Sequence, residues 1–313
     1  MVSEYNDYGE EDNIGLDISC NLGALNIKNV MNTKTIKESV ELSIDALNDI
    51  STSSNVKNAP AVNKANKLMR SVGLGTLNLH GYLTSVGIAY DSKEAIDFVA
   101  HFFSSMRFYA LKRSMETARD TGETFYKFEG SGYSDGTFFD DYIENKMPKD
   151  FKFDKVAELF KDMEMPTVED WKQLKADVME HGLYNSYLLA QMPTGSVSYI
   201  QSATAAVMPI KERVENRTYG NSKTYYPMPE LSNKTWFFYK EAYDMDMLRV
   251  VDLMAEIQKH IDQGISFELF VKDSITTREL TRIQLYAHHK GIKTLYYVRQ
   301  KDVGQAECLS CAV

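Results

Sequence analysis

The sequence predicts an α/β layer architecture with a largely parallel sheet or half-barrel. Three observations predict it. Apolar runs of strand length alternate with amphipathic helical stretches, glycines stand at the joints, and no repeat or low-complexity linker divides the 313 residues. In chain order, residues 1–13 are acidic and glycine-containing and read as a loose lead-in. Ile14 to Ile27 reads as an extended apolar segment carrying Cys20. Ile36, Val40, Ile44 and Leu47 fall at helical spacing within Lys34 to Asn48. The Ser/Thr/Asn stretch from Ser51 to Asn58 reads as a surface loop, and a further helix is expected before Gly73. Ser92 to Arg119 predicts a long amphipathic helix opened by Asp91 or Ser92 and ending near Gly122. Thr167 with Asp170 predicts the start of another, closed by Gly182. Leu183 to Met192 is apolar and short enough for a strand. A helix from Pro193 toward Met208 is expected to stop at Pro209. Asp246 to Ile261 reads as helix, Ile265 to Val271 as strand, Asp273 to His289 as helix and Ile292 to Arg299 as strand.

The composition is that of a globular chain with ample material for a core. A net charge of −9 and the lack of any basic stretch argue against generic nucleic-acid binding. No apolar run approaches the roughly 18 residues of a membrane span. The polar start, Met1 to Tyr5, is no signal peptide. With only three cysteines, a reducing cytoplasm is the expected setting, where a Cys-x-x-Cys is catalytic more often than structural.

The chemistry-bearing segments are few. Cys308 and Cys311 form a Cys-x-x-Cys among the last residues, where a swinging tail could present two thiols for thiol–disulfide exchange. A zinc half-site is the ordinary alternative, but no second Cys/His cluster completes four ligands, so no metal is expected. A thioredoxin-like module is excluded because no strand or helix follows Cys311. Pro193-Thr194-Gly195-Ser196-Val197 reads either as an anion cradle at a strand-to-helix junction or as an ordinary helix cap. The hydroxyls of Thr194, Ser196 and Ser198 could add donors there. It is not a Walker loop, since no Gly-Lys-Ser/Thr follows. Tyr296 and Tyr297 read either as plain strand residues or as adjacent phenols able to pass a proton and an electron. Since neighbours on a strand face opposite ways, the second reading requires a local departure from strand geometry. Gly73-x-Gly75-x-x-Asn78 lacks the third glycine of a dinucleotide fingerprint. His80 reads as a satisfied buried histidine, and His288 and His289 as favourable charges at a helix C-terminus.

Taken together, Asp17-Ile-Ser-Cys20-Asn-Leu-Gly-Ala-Leu-Asn26, Met192-Pro-Thr-Gly-Ser196, Gly291-Ile-Lys-Thr-Leu-Tyr-Tyr-Val298 and the terminal Cys-x-x-Cys occur in an order that resembles the large subunit of class I ribonucleotide reductases, with Pro-Thr-Gly-Ser pointing to the class Ib branch. Leu77-Asn-Leu-His-Gly81 and Ala118-Arg-Asp-Thr-Gly-Glu-Thr-Phe125 fit the same family. The resemblance runs from about Ile14 to the last residue. It implies the second five-stranded half of a ten-stranded α/β barrel over 14–300, followed by a mobile redox tail at 301–313. It further implies that Cys20 is half of the active-site pair that reduces the ribose. Pro193 to Val197 would hold the substrate diphosphate, and Tyr296 and Tyr297 would relay a radical. Cys308 and Cys311 would re-reduce the active-site disulfide and be reset by a thioredoxin- or glutaredoxin-like reductant. No cofactor is expected on this chain, the radical coming from a dimetal–tyrosyl small subunit.

The sequence also departs from the family pattern. The radical-bearing cysteine with its flanking asparagine and glutamate, the partner of Cys20 and the nucleotide-sensing sites all lie upstream in the family, and Asn-x-Cys-x-Glu does not occur here. The expectation is therefore a C-terminal piece of the large subunit, inactive alone and completed by an N-terminal polypeptide through exposed sheet edges. The alternatives are an inactive remnant that only binds the small subunit or a redoxin, and a free-standing dithiol carrier, which would leave Cys20 and the tyrosines unexplained.

Overall fold

The computed structural model describes residues 15–55, 58–219 and 222–301. Strand β1 (Asn21–Asn26) runs into α1 (Ile27–Thr33) and α2 (Ile36–Ser53), then α3 (Pro60–Met69), β2 (Val72–Leu77) and α4 (Leu79–Ser85) follow. Next come α5 (Lys93–Thr121), α6 (Thr137–Asp141), α7 (Asp154–Phe160), α8 (Val168–His181) and the short α9 (Gly195–Ile200). A hairpin of β3 (Val214–Tyr219) and β4 (Ser222–Pro227) precedes α10 (Met247–His260), β5 (Glu268–Lys272), α11 (Thr277–His289) and β6 (Tyr297–Lys301).

Helix α5 is the axis of the core. Phe98, Phe102, Phe103 and Met106 are wholly buried along it, each contributing ~1.5–3 kcal/mol by leaving water. Helices α2, α8 and α10 pack around it. Its ends match the sequence expectation: the Ser92 hydroxyl accepts from Ala95 N, and Gly122 closes it at φ 71°. Its middle is not the amphipathic stretch expected: every residue from Asp97 to Leu111 is buried, because neighbouring elements cover the helix on all sides. Thr167 and Asp170 form a reciprocal capping box on α8, as Thr276 and Glu279 do on α11.

Strands β1 and β2 pair in parallel, as do β5 and β6. Between the two pairs, parallel bridges join Leu74 to Leu189 and Gln191 to Ile265. Leu74 N donates to Leu188 O (2.8 Å), Gln191 N to Gly264 O (3.1 Å) and Ser266 N to Gln191 O (2.9 Å). Backbone hydrogen bonds thus link β1, β2, the 188–191 segment, the 264–267 segment and the β5–β6 pair in one direction. No closed barrel forms among the described residues.

Four further expectations need correction. Helix α2 starts at Ile36, because Lys34 turns left-handed at φ 59°, and it runs through Ser53 where a loop was expected. Residues 183–192 make bridges rather than a full strand. Helix α9 stops at Ile200 instead of reaching Met208, because Ser202 and Ala206 take left-handed φ (48° and 49°). The Thr204 and Ala206 amides bond to the Asn78 and Thr194 side chains in place of helix carbonyls. Finally, β6 begins at Tyr297, five residues later than expected. Among the described residues no helix is long and apolar enough to cross a membrane, and no group of three or more metal-ligating side chains forms.

Candidate functional site

Cys20 sits just ahead of β1, half-buried. Its thiol donates to the Gln263 Oε1 atom at 3.6 Å. Burial, and next the nearby Asp262 carboxylate, push its pKa above the ordinary thiol value. Close packing here explains the paired glycines. A Cβ on Gly75 would collide with the Ala190 carbonyl oxygen, while one on Gly73 would lie 2.6 Å from Leu22 Cδ2 and 3.5 Å from the Cys20 sulfur. Gly73-x-Gly75 therefore brings strands together and has nothing to do with a dinucleotide.

Beyond the other end of β1 and β2 lies a chain of side-chain amides, buried at Asn26 and Asn78 and reaching the exposed Gln201. Asn26 Nδ2 donates to Gln201 Oε1 (3.1 Å), and Asn78 Nδ2 donates to Asn26 Oδ1 (3.0 Å). Asn78 Oδ1 in turn accepts from Thr204 N (3.0 Å). These bonds tie both strand ends to the turn that follows α9. Gln191 reads across to Thr76, accepting from its amide at 3.1 Å.

That turn and α9 wall a cavity of about 270 Å³ lined by Pro193, Thr194, Gly195, Ser198, Lys211, Glu268 and Arg299 among others. A side chain at Gly195 would meet nothing within 4 Å, so the backbone there is open to an incoming group. Ser196 and Val197 are exposed beside it. The hydroxyls are less available than their types suggest. Thr194 is buried with Oγ1 accepting from Ala206 N (2.7 Å), and Ser198 Oγ donates to Gly195 O (2.7 Å).

Arg299 joins this cavity to the tyrosines. Its Nε and Nη2 clamp the Glu268 carboxylate at 2.7 and 2.9 Å, and its guanidinium lies 4.8 Å from the Tyr297 ring centre. Lys211 is 3.8 Å from the same carboxylate. The Tyr296 and Tyr297 rings are 4.3 Å apart at 62°, edge to face. Interaction with the Tyr297 side chain raises the Tyr296 pKa. Adjacent residues can meet this way because Tyr296 lies just outside β6, where strand alternation does not yet hold. Both rings remain about half exposed, at 51% and 48%.

The structure therefore hangs Cys20, the 193–197 turn and the tyrosine pair on one hydrogen-bonded ladder. Cys308 and Cys311 lie outside the described residues. Sequence reasoning missed Asn26, Asn78, Gln191, Gln201, Gln263, Glu268 and Arg299. The available signal was an amide directly after an apolar strand, at Asn26 and Asn78. His80 is the satisfied histidine expected: Nδ1 accepts from Ile210 N (3.0 Å) and Nε2 donates to Phe238 O (3.1 Å). Burial holds its pKa down at about 4.

Residues 3–298 match the family described as "Ribonucleotide reductase, barrel domain". All 313 residues align at 61% identity with the ribonucleoside-diphosphate reductase subunit alpha of Bacillus subtilis (strain 168), covering 44% of that protein. They align at 60% with the ribonucleoside-diphosphate reductase nrdEB subunit alpha of Bacillus phage SPbeta, covering 29% of it. The subunit alpha of Mycoplasma pneumoniae is 41% identical over 297 residues, 92% of this chain and 41% of that protein. The chain thus spans less than half the length of these relatives.

Proposed function

This chain belongs to the ribonucleotide reductase barrel-domain family, and on that premise we propose that it supplies the second, five-stranded half of the catalytic barrel of a ribonucleoside-diphosphate reductase large subunit. The ladder from β1 to β6 supports a half-barrel of five parallel segments. Leu22 on one flanking strand and Tyr297 and Val298 on the other are exposed, as edges that meet further polypeptide would be. The remaining barrel segments, the radical-bearing cysteine, the partner of Cys20 and a proton-accepting carboxylate would come from outside these 313 residues.

In this reading the 193–197 turn holds the diphosphate through the open backbone at Gly195. Tyr296 and Tyr297 pass an electron and a proton inward from a radical-generating small subunit. Cys20 and its partner cysteine reduce the ribose: two thiols and one carbon–hydroxyl group become a disulfide, a carbon–hydrogen bond and water. Cys308 and Cys311 then take over the disulfide and are reset by a redoxin.

The observation that carries the reading is the edge-to-face Tyr296–Tyr297 pair, held by Arg299 against the cavity that Pro193 to Gly195 wall. Cytidine diphosphate reduction tests it, assayed with small subunit and dithiol, with and without a polypeptide carrying the remaining barrel half. Turnover in the complete mixture that disappears with Tyr297→Phe is expected. No turnover despite demonstrated association of all components would leave an inactive remnant that keeps only its docking surfaces.

A further inference from the structure

Gln263 is the one side chain among the described residues that hydrogen-bonds the Cys20 sulfur, and its orientation decides what that sulfur carries. The Gln263 amide has one donating and one accepting end. Its Nε2 lies 2.8 Å from the Val72 carbonyl oxygen. A carbonyl only accepts, so the NH2 end must face Val72, and a flipped amide would set two oxygens against each other. The remaining end, Oε1, therefore faces Cys20. The Gln263 backbone is pinned as well, with N donating to Leu189 O (3.1 Å) and O accepting from Gln258 Nε2 (3.0 Å). Next to it, the Asp262 carboxylate is fixed by the amides of Leu188 and Leu189, both at 2.8 Å, and by Arg107 at 2.7 Å.

A sulfur facing an amide oxygen can bond to it only by donating a proton. We propose that Gln263 is a positioning residue that accepts the Cys20 S–H bond and keeps this sulfur a thiol until it is oxidised. Burial and Asp262 act in the same direction by disfavouring the thiolate. Since the thiolate is the attacking form in exchange and the reactive form toward oxidants, Cys20 at rest is shielded from both. This deepens the reductase reading and rests on it for its meaning. When Cys20 and its partner cysteine form their disulfide, each sulfur gives up one electron and one proton to the ribonucleoside diphosphate. Cys20 delivers both from the same S–H bond.

The test needs no turnover, so its failure is separable from failure of the reductase reading. In the 313-residue chain carrying Cys308→Ser and Cys311→Ser, Cys20 is the sole thiol, and its S–H stretching band is read by infrared spectroscopy. The band is expected to lie lower in the folded chain than in denaturant and to return toward the denatured position in Gln263→Met. It is also expected to persist on raising the pH past about 8.5, the ordinary cysteine range. Gln263→Glu, which sets a second carboxylate against the sulfur, should slow iodoacetamide alkylation of Cys20 about threefold or more at fixed pH. A band at the denatured position, or lost below pH 8.5 in the otherwise unaltered chain, overturns the proposal without any variant at Gln263 having to fold. A band unmoved by Gln263→Met in a folded chain overturns it too.

Discussion

Two strands of the ladder, β2 inside it and β6 at its edge, are built on opposite terms. At β2 all six residues are buried, the neighbouring strand approaches too closely for a side chain at Gly75, and side-chain amides bond to one another across the strand ends. At β6 every side chain is exposed or half-exposed, and the contacts are rings, an arginine clamp and a carboxylate. The inner strand is held by packing and by polar groups such as Asn26 and Asn78 that are buried away from water. The second is held by charged and aromatic contacts that water and salt can weaken. A scaffold must keep one geometry, whereas the relay proposed for Tyr296 and Tyr297 would have to present its side chains outward.

If that contrast is real, substitutions should be expensive at β2 and cheap at β6. The largest effect is expected from Gly75→Ala, where the new methyl meets a backbone oxygen that cannot rotate away. It should lower unfolding free energy by about 3 kcal/mol, read from the denaturant midpoint at constant m. Gly73→Ala, whose main obstacle is the tip of the exposed Leu22 side chain, should cost clearly less. A comparable loss for both would show that the close approach at Gly75 is softer than described.

Acid tests the same buried region next. His80 has a folded pKa of about 4 against 6.5 when solvated. Its neutral form is the one that fits the buried site, so its contribution is full above pH 6.5 and erodes as pH falls toward 4. The loss is on the order of 3 kcal/mol. Burial depresses the pKa values of His101 and His260 as well, so the slope in this window should exceed that of one group. His80→Phe should flatten part of it; an unchanged slope would assign the acid sensitivity elsewhere.

Asn78→Ala comes third. It leaves the Thr204 amide without its partner and deprives Asn26 of a donor, and at φ 72° alanine is less comfortable than asparagine. About 2 kcal/mol is expected, with the turn over the 193–206 cavity loosened. Faster hydrogen exchange at the Thr204 and Ala206 amides would register this, and unchanged protection would mean the turn holds without Asn78. Smallest is Tyr297→Phe, which removes a hydroxyl from a half-exposed ring and should move stability by less than about 0.5 kcal/mol. A larger shift would mean that the tyrosine pair also supports the fold, and activity loss in that variant could no longer be assigned to the relay alone.

The sequence by itself determined most elements and the family. Helix periodicity in α2 and α10, the Thr167/Asp170 box and the Ser92 and Gly122 caps of α5 are local signals, legible because capping and amphipathicity depend on residues a few positions apart. The ordered motifs at Cys20, Pro193 to Ser196 and Tyr296 to Val298 named the resemblance for the same reason, each being short and contiguous. Tertiary structure decided the rest. Where α9 ends depends on Asn78, more than a hundred positions upstream, capturing the Thr204 amide. Whether two neighbouring tyrosines touch depends on where β6 begins, which follows from its pairing with β5. The proton on Cys20 depends on Gln263, 243 positions away. Each of these is a competition between a local preference and a long-range hydrogen bond, and only the folded chain brings the second competitor within reach.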